Sequence, residues 1–96
     1  MKLVLSEDAV ADLRAIVRYA AGRWGRARAR AYLVGLQERL DSLPAYPELG
    51  PPADEFLPDL RRYSYISHNI FYRVGPSAVR IVRILHKRMR AEDYLR

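Results

Sequence analysis

Between residues 9 and 24, apolar side chains recur at Val10, Leu13, Val17, Ala20 and Trp24, in alternating steps of three and four, with Ala9 and Ile16 widening the stripe. That period lays one apolar face along a helix. Ser6 is placed to cap its start, and Glu7 and Asp8 fall where the helix dipole favours carboxylates. Gly22 and Gly25 bracket its end. A second stripe runs through Ala29, Leu33, Leu36, Leu40 and Leu43, from a start near Gly25 or Arg26 to a stop at Pro44. So short a link predicts an antiparallel helical hairpin whose two stripes need a sheet to cover them.

Other stretches supply that sheet. Lys2 to Leu5 is short and mostly aliphatic, as an opening strand would be. From Arg61 the period drops to two: Arg62 to Ile66 alternates, Ser67-His68-Asn69 reads as a tight connection, and Ile70–Val74 and Val79–His86 are β-branched and aromatic around a Gly75-Pro76-Ser77 turn. Between helices and strands, Pro44 to Leu60 holds five of the six prolines and reads as a loop with one short helical turn near Asp54–Leu57. Ala91 to Leu95 reads as a last helical turn. The order is β-α-α-β-β-β, an α+β fold with an antiparallel sheet packed on a helical hairpin. Strict alternation would put Arg83 on one face of the last strand with Val79, Ile81 and Leu85, and Arg80 on the other with Val82, Ile84 and His86. Both faces are mixed, so periodicity leaves open which one meets the helices.

Length and composition sharpen this outline. Ninety-six residues make one domain, residues 1–96, with a single thin core. The chain has no cysteine, which excludes a disulfide, a thiol nucleophile and a Cys-type zinc site, and fits a cytoplasmic location. The longest apolar run, Ala31 to Val34, is far short of a membrane span, and the N-terminus turns acidic at Glu7 before a signal-peptide core could form.

The net charge of +6 is unevenly spread. Residues 41–60 carry acids and no base, whereas residues 61–90 carry Arg61, Arg62, Arg73, Arg80, Arg83, Lys87, Arg88 and Arg90 and no acid. Such a block attracts nucleic acid or an acidic protein. Tyr63, Tyr65, Phe71, Tyr72 and Tyr94 are interleaved with it; Arg and Tyr together serve RNA stacking surfaces and protein hot spots alike. No Gly-rich phosphate loop or paired-carboxylate motif occurs. His68 and His86 lie eighteen residues apart with no acid between them, and read as structural or surface side chains rather than metal ligands. In-line RNA cleavage would need cations, which Arg61, Arg83 and Lys87 could supply, and proton transfer, which Tyr94 or His86 could supply. No spacing demands it.

Four stretches, in order, resemble a known family. Leu5 to Leu13 is similar to an opening L-S-x-x-A-x-x-D-L; Arg23-Trp24-Gly25 resembles the end of that family's first helix; Leu43 to Gly50 resembles its post-helical L-x-x-x-P-x-x-G; Ile70-Phe71-Tyr72-Arg73-Val74 with Val82-Arg83-Ile84-Leu85-His86 resembles its last two strands. The family is that of the ParE toxins of type II toxin–antitoxin systems, within the RelE/ParE superfamily. The resemblance covers residues 3 to about 90 and implies a β-α-α-β-β-β fold. It further implies a toxin that poisons DNA gyrase without catalysis of its own and without a cofactor or metal. A cognate ParD-like antitoxin would neutralise it in a hetero-oligomer through an acidic amphipathic segment.

On that reading Arg61, Arg73, Arg83, Lys87, Arg88 and Arg90 are candidates for target binding, and Trp24, Tyr32, Leu33 and Leu36 for antitoxin binding. Direct contact with nucleic acid stays open. The alternative is a RelE-like ribosome-dependent mRNA endoribonuclease using Arg61, Arg83 and Tyr94. Such enzymes rely on several lysines, and this chain has only Lys2 and Lys87. Pro51 and Pro52, where many relatives carry Arg after the glycine, and Ser67-His68-Asn69, where they often have Gly, depart from the family pattern.

Overall fold

A computed structural model describes residues 1–95. Strand β1 (Lys2–Leu5) leads into α1 (Glu7–Trp24) and α2 (Arg26–Ser42), and β2 (Arg61–Tyr65), β3 (His68–Val74) and β4 (Ala78–His86) follow. A 3₁₀ turn at Ala91–Asp93 closes the chain. The strand order is β1-β4-β3-β2. The expected antiparallel sheet holds for β2, β3 and β4, but β1 runs parallel to β4, so the sheet is mixed. Hairpins force antiparallel neighbours; β1 joins β4 only after the chain has crossed through both helices, and that connection permits the parallel direction.

The start of α1 is fixed twice. Ser6 Oγ accepts from the Ala9 amide at 3.0 Å and donates to the Val82 carbonyl at 2.7 Å, so one hydroxyl caps the helix and ties it to β4. Gly25 alone separates the helices, at φ 79° and ψ 165°, a region that residues with a Cβ scarcely enter.

The helix-side core joins Ala9, Ile16, Tyr32, Leu36, Leu40 and Leu43 to Tyr65, Ile70, Tyr72, Val79, Ile81 and Ile84 of the sheet. Within the expected stripes, Leu13 and Leu33 are only partly buried, and Val17 is turned out to solvent. On the opposite face a smaller cluster of Ala53, Leu60, Phe71, Leu85 and Leu95 is roofed by the proline-rich loop and the C-terminal tail. The loop's expected helical turn near Asp54–Leu57 is instead a series of hydrogen-bonded turns, with Phe56 N bonded to Ala53 O and Ala53 N to Leu60 O. A hairpin of only Ile66 and Ser67 joins β2 to β3, so His68 and Asn69 belong to β3 rather than to the connection.

A register shift corrects the face assignment of the last strand. Phe71 pairs with Arg83 but Tyr72 pairs with Ile81, leaving Val82 as an extra residue in β4. The bulge breaks strict alternation. Val79, Ile81 and Ile84 therefore all reach the helix-side core, while Val82 and Leu85 join the outer cluster. Arg83 does not share a face with Val79 and Ile81 as expected.

Candidate functional surfaces

The bulge sits where β1 has ended and the edge of β4 is bare. Asp12 of α1 covers that edge: its Oδ2 accepts from the Ile84 amide at 2.9 Å and from Arg83 Nε at 2.8 Å, and its Oδ1 accepts from Arg83 Nη2 at 2.8 Å. The forked pair is mostly shielded, with side-chain exposures of 16% for Arg83 and 12% for Asp12. The hydrogen bonds to Asp12 raise the guanidinium's pKa above its ordinary value, against the opposing effect of burial. The Arg83 guanidinium also lies 5.3 Å from the centre of the Tyr94 ring. Arg83 is thus a structural clasp between α1, β4 and the tail, and little of it is free to meet a target. Asp12 went unassigned from the sequence, although it stands inside the Leu5–Leu13 stretch.

The other basic candidates separate. Arg61 Nη1 donates to the Gly50 carbonyl at 2.7 Å, and Arg73 Nε to the Pro58 carbonyl at 3.1 Å, so both brace the proline-rich loop. Lys87, Arg88 and Arg90 are exposed just past β4, and among the described residues only Arg90 of the three forms ion pairs, with Glu92 and Asp93. The proposed ribonuclease set is brought together only in part: Arg83 meets Tyr94, while Arg61 lies on β2, with β3 between it and β4.

Burial also corrects the antitoxin candidates. Leu36 is wholly buried and offers no surface to a partner, and Tyr32 is nearly buried, with only a small part left at the surface beside Trp24. Trp24 and Leu33 keep partial exposure. On the outer side of the hairpin, Val17, Ala21, Ala29, Leu33 and Val34 line a shallow apolar groove of about 810 Å³, rimmed by Arg26 and Arg30. Val17 was expected in the buried stripe; facing outward, it helps to build this groove instead.

Tyr32 leads to a third feature. Its hydroxyl stands 2.6 Å from His68 Nδ1 and accepts from the Ser67 amide at 3.2 Å. The Tyr65 carbonyl is a second acceptor in reach, at 3.4 Å, and the much shorter contact with Nδ1 favours donation to the imidazole. Burial of His68, then the neighbouring His86, lower its pKa to about 4 against a smaller opposing effect of Asp12, and the ring is neutral near pH 7. Burial raises the pKa of Tyr32. His68 pairs with His86 across β3 and β4, with ring centroids 5.2 Å apart and planes at 83°. Antiparallel pairing joins two histidines that the sequence holds eighteen positions apart.

A mixed four-stranded sheet with a helical hairpin on one face and a basic C-terminal extension defines a class of small α+β proteins with solved examples. The fold superposes with a TM-score of 0.77 on a chain of the "Chromosomal ParDE TA system from P. aeruginosa", covering 90% of this chain and 95% of that one at 23% identity. Residues 3–91 match the family model of the ParE toxin of type II toxin–antitoxin system, parDE. The chain is 40% identical over 89 residues to Toxin ParE1 of Mycobacterium tuberculosis (strain H37Rv), covering 92% of this chain and 91% of that protein. It is 38% identical over 91 residues to Toxin ParE1 of Caulobacter vibrioides, covering 95% and 94%. With Toxin ParE of Escherichia coli it shares 36% over 88 residues, covering 90% and 84%. The chain belongs to the ParE toxin family of type II toxin–antitoxin systems.

Proposed function

We propose that this ParE-type toxin arrests growth in the cytoplasm by poisoning DNA gyrase, and that a cognate ParD-like antitoxin neutralises it. The family match over residues 3–91 carries this reading. The exposed cations Lys87, Arg88 and Arg90 beyond β4 support a contact with a gyrase–DNA complex, whose phosphates and acidic surfaces attract them. The toxin acts by binding and performs no covalent step. Arg61, Arg73 and Arg83, engaged with the loop and with Asp12, hold the scaffold from which that basic extension projects.

The antitoxin would meet the groove between α1 and α2. Val17, Leu33 and Val34 give it an apolar floor, and Arg26 and Arg30 select acidic flanks, as on an amphipathic acidic helix. A second copy of the same chain would bring arginines against arginines there. Trp24, half-exposed at the end of α1 with Arg28 stacked 5.3 Å from its ring, would extend this contact.

The test is induced expression followed by two assays on purified components, gyrase supercoiling and ribosome-dependent mRNA cleavage. Supercoiling inhibition with intact mRNA is expected. Cleaved mRNA with unaffected gyrase would refute the reading. Lys87→Ala with Arg88→Ala should weaken gyrase inhibition while leaving antitoxin binding intact; Val34→Glu should do the reverse.

A further inference from the structure

The cavity between α1 and the paired ends of β3 and β4 shares only Arg88 with the basic extension proposed above to meet the target. It measures about 440 Å³ and is lined by Asp12, Ala15, Ile16, Tyr19, His68, Ile84, His86, Arg88 and Met89. That size falls within the roughly 300–1,000 Å³ of small-molecule pockets, and its mostly apolar wall with a few converging polar groups is their usual composition.

The hydrogen bonding of its two histidines settles what they present. Each is fixed through Nδ1: that of His68 accepts from the Tyr32 hydroxyl, and that of His86 accepts from the Arg88 backbone amide at 3.1 Å. An amide can only donate, so in the neutral His86 ring the hydrogen sits on Nε2; for His68 the short contact with the Tyr32 hydroxyl favours the same tautomer. Among the described residues neither Nε2 has a protein partner, yet no buried side-chain nitrogen lacks one, so both Nε2–H groups must reach solvent. For His68 this is notable, because the residue as a whole is only 7% exposed. A nearly buried imidazole and its neighbour therefore offer two N–H donors where they line a common cavity, which Arg88 also lines.

We infer that this cavity binds the phosphate group of a nucleotide, held by His68 Nε2–H, His86 Nε2–H and Arg88, with the base against Tyr19 and Met89. Three donors from three side chains suit a tetrahedral oxyanion better than a planar carboxylate. Asp12, the acid in the wall, is neutralised by its fork with Arg83 and leaves the site open to an anion. A divalent metal is disfavoured, since ligation by Nε2 would require the proton that the Arg88 amide forces onto that atom to leave. Tyr19 stands 54% exposed at the mouth, with Arg23 5.6 Å from its ring centre, an aromatic and cationic platform of the kind on which bases stack. The assignment stands whether or not gyrase is the toxin's target.

Titration of the full-length toxin with AMP, inorganic phosphate and Zn²⁺, followed by calorimetry and by the side-chain ¹⁵N resonances of the histidines, tests it. AMP should bind saturably and shift both Nε2 signals. His86→Ala and Arg88→Ala should each weaken it roughly tenfold or more, the loss expected for a hydrogen bond to a charged group. Tyr19→Ala should weaken AMP but not inorganic phosphate. His68→Ala could fail to fold, because it removes the partner of Tyr32; the rim variants at positions 86 and 88 decide the matter without it. No saturable binding, or AMP affinity unchanged in both rim variants, would overturn the site. Equal affinity for AMP and inorganic phosphate would overturn its assignment to a nucleotide. Zn²⁺ bound through both Nε2 atoms would overturn the tautomers on which the assignment rests.

Discussion

The two faces of the sheet are covered by different means. On one, α1 and α2 lay down continuous stripes, and Leu36, Leu40 and Leu43 are sealed against Ile70, Tyr72 and Ile81. On the other, a proline-rich loop and one turn at the chain's end cover Phe71 and Leu85 with little more than Ala53, Leu60 and Leu95. Periodic secondary structure buries a large area per residue ordered, whereas the outer cover depends on individual anchors: the Arg61 bond to Gly50, the Arg73 bond to Pro58 and the Tyr94 ring over Arg83. The helix face therefore sets global stability. The outer face is the place for local opening, and it adjoins the basic extension proposed to meet the target.

Substitutions that separate the faces test this contrast. Leu36→Ala, in the sealed face, should cost about 2–5 kcal/mol. That lowers the melting temperature by at least ~8 °C, at roughly 4–8 °C per kcal/mol for a domain of this size, as calorimetry would record. Asp12→Ala, at the seam between the faces, strips the Arg83 fork and the acceptor of the Ile84 amide together. A loss of about 2–4 kcal/mol is expected in chemical denaturation, whereas Glu92→Ala, at an exposed ion pair, should change stability by less than ~0.5 kcal/mol.

Leu95→Ala, in the outer cover, should cost only about 1–2 kcal/mol. Its larger effect should be faster amide exchange confined to the tail and to residues 53–60. Uniformly faster exchange over the whole sheet would show that the two faces unfold as one.

Acidification probes the helix side at a single group. His68 folds neutral with its pKa lowered to about 4, while the unfolded chain protonates near the ordinary 6.5. Between those values the unfolded state binds more protons, so this contribution is intact above pH 6.5 and is lost progressively as pH falls towards 4. Tyr32, His86 and Asp12 face the ring. The melting temperature should drop by several degrees over that window, and less in His68→Gln.

The smallest effect is expected at the hairpin tip. Ile66 holds φ +45° while 65% exposed, a left-handed conformation that a β-branched residue adopts at a cost. Ile66→Gly should stabilise by up to ~1 kcal/mol in denaturant melts, glycine's greater freedom in the unfolded chain offsetting part of the relief.

Much of this was readable along the chain. The steps of three and four marked both helices, Ser6 and Pro44 marked a start and a stop, and the change of period at Arg61 marked the sheet. Four ordered motif stretches pointed to the family. The site residues were less legible, because sequence spacing carries charge and type but not engagement. Arg83 read as a free cation until Asp12, seventy-one positions away, was found to hold it. Tyr32 and Leu36 read as partner contacts because a helical stripe does not say which of its edges is covered.

The sequence by itself determined which segments form helices and strands, the apolar content of the core and the uneven charge, all of which follow from local periods and composition. Tertiary structure decided the parallel pairing of β1, the bulge at Val82 that turns Ile84 inward, and the meeting of His68 with His86. These depend on hydrogen bonds between segments far apart in sequence. A one-residue change in register reverses every face beyond it, and no local pattern records that change.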